Sequence, residues 1–233
     1  MVSLLTRSPP RQTPTPMCGR FTLHHSTEDV AERFAVEQTL LELTPRYNIA
    51  PSQPVPVIIQ RDSRLMREHA WGLVPFWAKD PAIGNRMINA RAESLVDKPT
   101  FKRAFSVRRC LIPASGYYEW KKADGGKNPH YIQAADGQPF AMAGLFEKWS
   151  DPDGLPLRTC AVITTEPNEL AAAIHNRMPA ILTRDAEEIW LDPESRPEAL
   201  LAVLRPYPGE LSAHAVSRLV NKAATDEAAC IEP

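Results

Sequence analysis

Twenty-three prolines against ten glycines in a chain of 233 residues constrain the fold more than any other feature of this sequence. Each proline holds φ near about −65° and carries no N–H, so it ends a helix and is tolerated in a sheet only where no ladder bond is needed. Long helices therefore cannot dominate, and many connections must be rigid and non-helical.

Between the prolines the chain reads mostly as strand. Apolar or alternating segments occur at Val57-Ile58-Ile59 and near residues 65–72, 110–120, 129–135, 139–148, 157–164, 178–183 and 213–220. The turn signals Asp124-Gly125-Gly126, Asp136-Gly137 and Asp151-Pro152-Asp153-Gly154 separate several of them. Helical patterns are short. Ser26-Thr27-Glu28-Asp29 opens one running to about Val36, with Val30 and Phe34 on one face, and others fit 168–174, 185–191 and 196–204. Pro45 to Pro56 reads as a loop. Runs of hairpins with short peripheral helices predict an α+β single domain with a mostly antiparallel, β-barrel-like sheet core. At 43% hydrophobic and 24% charged the composition is that of an ordinary globular protein. Residues 1–16 differ: four prolines, two arginines and no acid, without periodicity, predict a disordered extension. The texture changes at Met17, itself a candidate initiator, so the domain is expected over residues 17–233.

The net charge of −1 excludes a uniformly basic nucleic-acid coat, and any hold on phosphate must come from a local patch. No apolar run approaches the ~18 residues that span a bilayer, and the start has no signal-peptide pattern. Cys18, Cys110, Cys160 and Cys230 are scattered with no C-x-x-C pair, which fits a reducing cytoplasm without disulfides. Neither G-x-S-x-G, H-E-x-x-H, a Walker loop nor G-x-G-x-x-G occurs, and His24 beside His25 cannot easily share one ion. No metal and no nucleotide cofactor are expected.

Several residues could carry chemistry. If Met17 initiates and is removed, Cys18 becomes a 1,2-aminothiol, with an amine of pKa about 8 beside a thiol of about 8.5. Its amine can condense with an aldehyde and its thiol can close a thiazolidine ring, or the amine can activate the thiol as a nucleophile; a small buried hydrophobe is the plain alternative. In Tyr117-Tyr118-Glu119-Trp120-Lys121 a strand places Tyr117, Glu119 and Lys121 on one face. Burial among large apolar neighbours would raise Glu119 toward neutral pH, whereas a solvated Glu119–Lys121 pair would leave it ordinary. Asn89-Ala90-Arg91-Ala92-Glu93 alternates, so Asn89 could orient a group and Arg91 hold a phosphate, unless this is only a surface strand. His175 stands where a helix must stop before Pro179, as a dipole cap or a proton carrier. Trp71 to Trp77, beside Lys79 and Arg86, is either a platform for single-stranded nucleic acid or a core-lining loop, the latter being expected for Trp71. Lys102-Arg103 and Arg108-Arg109 could add a backbone-binding patch or be a solvated face.

Taken in order, Met17-Cys-Gly-Arg-Phe21, Arg46-Tyr-Asn-Ile-Ala-Pro51, Trp71-Gly-Leu-Val-Pro75, Asn89-Ala-Arg-Ala-Glu93, Gly116-Tyr-Tyr-Glu-Trp120, Ile174-His-Asn-Arg-Met-Pro179 and Val216-Ser-Arg218 resemble the SOS response-associated peptidase family, the abasic-site processing proteins, over about residues 17 to 222. The resemblance implies a β-barrel-like core, a positively charged groove for single-stranded DNA, and capture of abasic sites as a covalent thiazolidine on the N-terminal cysteine. It implies that Cys18 is that cysteine, that Asn89 orients it, that Glu119 is acid and base around its amine, and that His175 protonates the opening sugar ring. Arg20, Trp77 and Arg91 match positions expected to hold the DNA. Lyase, crosslink-reversal and self-cleaving peptidase activities go with the family, as does contact with the replication machinery in the cytoplasm, at the nucleoid when on DNA; a monomer is the expectation.

The departure is the sixteen residues before Met17. While they are attached Cys18 has an amide nitrogen, and thiazolidine chemistry is closed to it. A misassigned start is the favoured explanation and processing the second. Two other functions stay open: a cysteine N-terminal-nucleophile peptidase or amidohydrolase, and a non-catalytic single-stranded DNA binding module.

Overall fold

The computed structural model describes residues 18–233; the expected disordered extension lies outside them. Five strands close a barrel. In order around it they are Pro54–Gln60, Arg64–Trp71, Pro156–Thr165, Phe140–Ser150 and Arg109–Ala114, the last returning to the first through Leu111 and Ile58. Four seams are antiparallel, and the fifth, Thr159 and Cys160 against Ala70 and Trp71, is parallel. Just past the parallel seam the Gly72 backbone meets that of Gly84 in the Pro81–Arg86 turn: its φ is +139° and an added Cβ would sit 2.7 Å from the Gly84 carbonyl oxygen. Only glycine fits there.

The prolines fall where their chemistry allows. The Trp71 N–H donates to the Gln53 carbonyl at 2.9 Å, so odd-numbered residues of the Pro54–Gln60 strand bond toward Arg64–Trp71. Pro54 and Pro56 turn their missing donors to the other side, where only Ile58 pairs. Pro81, Pro99 and Pro197 each stand in the first turn of a short helix, Pro81–Arg86, Pro99–Val107 and Pro197–Ala202.

A second, antiparallel sheet runs Leu211–Ala215, Gly126–Ala134, Gly116–Ala123, Phe21–Leu23 and Arg46–Ile49. It joins the barrel through one core, in which the Phe21 ring meets Trp71 edge-on at 5.1 Å. Beyond Ala215 the chain crosses the outer face of this sheet, where Val216, Val220 and Cys230 pack on Tyr118 and Tyr131. Asp226 pins that crossing by accepting the Tyr47 and Asn48 N–H groups and pairing with Arg46. The Asn48 side-chain nitrogen lies within 3.2 Å of the Val220, Lys222 and Thr225 carbonyl oxygens.

The α+β, barrel-centred expectation matches this architecture, with local corrections. Arg46–Ile49 is a strand inside the expected Pro45–Pro56 loop, because Phe21–Leu23 offers it an edge. The expected 213–220 strand is Leu211–Ala215 followed by a 3-10 turn, Arg218–Asn221. The first helix is Thr27–Arg33, shorter than read, since Ala35 turns to φ +50° just past its end. The Pro99–Val107 helix, with Phe101, Ala104 and Phe105 buried, was hidden by its interleaved cations.

Candidate active site

Cys18 enters the strand Phe21–Leu23 from a backbone with φ +40°, in the left-handed region that side chains with a Cβ avoid. Phe21 pairs with Tyr117, Thr22 pairs with Gly116, and the Tyr118 N–H donates to the Arg20 carbonyl at 3.0 Å. That ladder lays residues 18–20 beside the end of the Gly116–Ala123 strand. Gly116 leaves room for the Tyr131 ring, 2.4 Å from where a Cβ would be, and the Tyr131 hydroxyl bonds Thr22 at 2.9 Å. The result is a hydrogen bond from the Cys18 nitrogen to Glu119 Oε1 at 2.7 Å.

Strand alternation decides which side chains meet Cys18. Tyr117 and Glu119 turn inward, while Tyr118 joins the outer cluster. Glu119 is buried and Lys121 exposed, so the solvated Glu119–Lys121 pair does not form. Burial pushes the Glu119 carboxyl up to about 7, although the N–H groups of Cys18 and Trp120 and the charge of Lys127 pull against it. It can both hold and release a proton near neutral pH. The Cys18 thiol is pushed well above its ordinary range by burial, then by Glu119.

His175 follows the short helix Glu169–Ala172, its own N–H donating to the Ala171 carbonyl at 2.8 Å. Its Nδ1 accepts the Arg177 N–H at 3.3 Å and stands 4.0 Å from Glu119 Oε1. Burial lowers the imidazole, a backbone hydrogen bond with Arg177 opposes this, and Lys127 and Lys122 lower it further. It is therefore neutral near pH 7 with its proton on Nε2, and its approach to Glu119 is not an ion pair.

Asn89 begins the strand Asn89–Arg91, which lies parallel to Val162–Thr164 at the barrel rim. Its Nδ2 is 3.5 Å from the Cys18 carbonyl oxygen. The expected alternation through Glu93 stops at Arg91: Ala92–Ser94 is a 3-10 turn, and Glu93 instead pairs with Arg177 at 2.5 Å.

Gly19, Arg20, Pro51, Glu119, Trp120, Lys127 and His175 line a cavity of about 360 Å³. Through Trp120, Lys127 and His175 it opens into a groove of about 560 Å³ that carries Arg91, Lys121 and Lys122 and has no acid in its lining. Contacts bring Cys18, Asn89, Glu119 and His175 together; Cys18 and Asn89 lie behind the lining, Arg20 borders the cavity and Arg91 the groove. Arg20 is also tied down, donating to Asn48 Oδ1 at 2.8 Å and the Val220 carbonyl at 2.5 Å. Trp77 is not in this cavity; 51% exposed, it lines another depression with Lys79 and Arg86.

The family model for the SOS response associated peptidases (SRAP) matches residues 17–223. The chain belongs to that family. The abasic site processing protein YoqW of Bacillus subtilis is 49% identical over 176 residues, covering 74% of this chain and 79% of the relative. The abasic site processing protein YedK of Escherichia coli is 32% identical over 180 residues, covering 73% and 77%. A solved protein from Bacteroides thetaiotaomicron superposes with a TM-score of 0.85 at 28% identity, over 92% of this chain and 99% of that one.

In this SRAP domain several residues escaped sequence reasoning. Lys121, Lys122, Lys127 and Trp120 supply much of the groove. The Asp124-Gly125-Gly126 turn carried the signal, since a hairpin there sets Lys122 directly opposite Lys127. Like charges in that register oppose folding and mark a face suited to an anion. Arg108 and Arg109 are corrected in the other direction. Arg109 is buried and donates to the carbonyls of Trp190, Phe105, Ser106 and Asp192, and Arg108 pairs with buried Glu147. Arg103 stacks over Phe76 at 4.3 Å, and Trp71 is core, its Nε1 donating to the Ile88 carbonyl at 2.9 Å. Among the described residues no group of three or more His, Cys, Asp or Glu could hold a metal ion, and no helix is long and apolar enough to cross a membrane.

Proposed function

We propose that this protein captures abasic sites in single-stranded DNA through a covalent bond to Cys18, exposed as the first residue once residues 1–17 are gone. The observation that carries this reading is the Cys18 nitrogen held 2.7 Å from a carboxyl poised near pH 7, whose cavity adjoins a cationic groove. The abasic site processing names of the relatives support the same substrate.

An abasic sugar rests mostly as a closed hemiacetal, so a proton must reach the ring oxygen before the aldehyde is available. His175 is the donor from Nε2, its Nδ1 taking a proton in turn from the Glu119 carboxyl 4.0 Å away, which leaves Glu119 as the carboxylate. The Cys18 amine then adds to the aldehyde carbon, and loss of water leaves a Schiff base, with Glu119 taking the amine's proton and returning one to the departing oxygen. Attack by the Cys18 thiol closes the thiazolidine. Run backward, these steps release the DNA; elimination from the Schiff base is the lyase route. Arg20 and Arg91 with the groove lysines hold the phosphates, and holding both reactants in one cavity supplies the entropic advantage of an intramolecular reaction. A lesion without a base needs no base pocket. Trp77 stacks a flanking base, and Asn89 fixes the Cys18 carbonyl.

A second reading, a cysteine N-terminal-nucleophile peptidase, draws on the left-handed backbone at Cys18. The thiol attacks the Met17 carbonyl carbon, the bond to the Cys18 nitrogen breaks as Glu119 supplies its proton, and water hydrolyses the thioester. Such self-cleavage would prepare the first function.

Denaturing intact mass of the chain expressed from Met1, with and without a single strand carrying one abasic site, tests these readings. A mass beginning at Cys18 together with a DNA adduct supports capture. A mass beginning at Cys18 without an adduct overturns it in favour of the peptidase. A full-length mass without an adduct, repeated on a chain begun at Met17, leaves a binding module only.

A further inference from the structure

Tyr117 takes no part in the chemistry above. It projects from the same strand face as Glu119, is fully buried, and its hydroxyl has no hydrogen-bond partner among the described residues. Its neighbours on the same sheet are satisfied: Tyr118 donates to the Tyr47 carbonyl at 2.6 Å, and Tyr131 bonds Thr22. An unpaired buried hydroxyl opposes folding, and phenylalanine would fill the same space without that penalty. Tyr117 lies two residues from Glu119 on that face, and Glu119 holds the Cys18 nitrogen at 2.7 Å. Phe21, three residues past Cys18, is its cross-strand partner, and Cys18 and Tyr117 belong to one core cluster. Burial raises the phenol well above its ordinary range, and Cys18 and then Glu119 raise it further, so it is a protonated donor within electrostatic reach of both.

We infer that Tyr117 is a positioning residue for the Cys18 sulfur, its hydroxyl donating a hydrogen bond to that sulfur as the thiol gives up its proton. The inference rests on the covalent-capture reading. In the closing step the S–C bond forms, the electron pair of the protonated C=N bond returns to nitrogen, and the thiol proton passes to the Glu119 carboxylate. Negative charge builds on sulfur in a pocket where burial and Glu119 both oppose it. A donor that is idle at rest and engages only as charge develops favours the transition state over the ground state.

Tyr117→Phe in the full chain tests this. At fixed pH, alkylation of Cys18 by iodoacetamide, located by mass spectrometry, should slow about threefold to tenfold, the effect of one hydrogen bond. On an abasic single strand, the adduct that survives only after borohydride reduction should grow relative to the adduct that survives without it, because the Schiff base forms but closes slowly. The melting temperature should not fall. Unchanged alkylation with an unchanged adduct ratio overturns the inference. Should the variant fold poorly, 3-fluorotyrosine at position 117 keeps the shape and strengthens the donor, so alkylation must accelerate; no acceleration overturns the inference. If wild type gives no adduct even when begun at Met17, the capture reading fails, and the alkylation rates alone decide the role of Tyr117.

Discussion

The Cys18 nitrogen and Glu119 Oε1, 101 positions apart in the chain, are joined across 2.7 Å. The contact exists because the ladder from Phe21–Leu23 onto Gly116–Ala123 places Cys18 beside the inward face of the partner strand. A buried carboxyl and a backbone nitrogen are thereby held as a proton-sharing pair.

Glu119 opposes folding whenever it is ionised. Its carboxyl titrates at about 7 in the fold against an ordinary 4.5, so the folded state binds more protons between those values and stability falls as pH rises through them. Glu119→Gln removes this loss and keeps the acceptor for Cys18. Urea unfolding at pH 8 should show the variant more stable by up to about 3 kcal/mol, with the difference vanishing near pH 4. Adduct formation and its reversal should both slow in the same variant. Unchanged rates would take Glu119 out of the mechanism.

Cys18→Ala should abolish the covalent adduct on abasic single strands and leave non-covalent binding of an undamaged strand within about twofold, because the groove cations are untouched. Gel shift beside denaturing gel separates the two. Loss of both would mean that the site and the groove do not act as separate units.

Replacing Lys121, Lys122 and Lys127 together by glutamine should weaken single-strand binding and flatten its salt dependence. Each phosphate contact contributes about 0.7 to the log–log slope, so the triple variant should lose about 2. Lys79→Gln, in the depression lined by Trp77, is the comparison and should lose at most about 0.7 of the slope, as for one contact beside a flanking base; a loss of about 2 there would move the main DNA path.

His175 should titrate below the ordinary 6.5 and, when neutral, carry its proton on Nε2. Nitrogen-15 shifts of the labelled ring read both. A midpoint above 6.5 would restore the ion pair with Glu119 that the geometry argues against.

Asp226→Asn should release the segment that crosses the outer sheet, since three donors converge on that carboxylate. Denaturant unfolding should register a loss of about 2–4 kcal/mol. A value near zero would make the clamp decorative.

Much of this was legible in advance because the decisive features are local. Alternation in Tyr117-Tyr118-Glu119-Trp120 fixes which side chains turn inward, and the turn glycines mark the hairpins. Other features were not local. Arg46–Ile49 becomes a strand only because Phe21–Leu23 offers an edge, and Arg109 looks like a surface cation until four carbonyl groups converge on it. Trp77 shows the remaining limit: a residue type suited to stacking can be read from a string, but which depression it lines depends on how the 75–87 segment folds back.

The tie from Arg20 to the Val220 carbonyl spans 200 positions. Synthesis runs from the N-terminus onward, so residues beside Cys18 wait for a partner made 200 residues later. A cut made by the protein on itself therefore belongs to a chain that has folded past Val220. Trimming by an aminopeptidase works on the emerging peptide and needs none of this. Pulse-labelled nascent chains trimmed before Val220 is made would point to the second route, and trimming that starts only once Val220 is in place would point to the first.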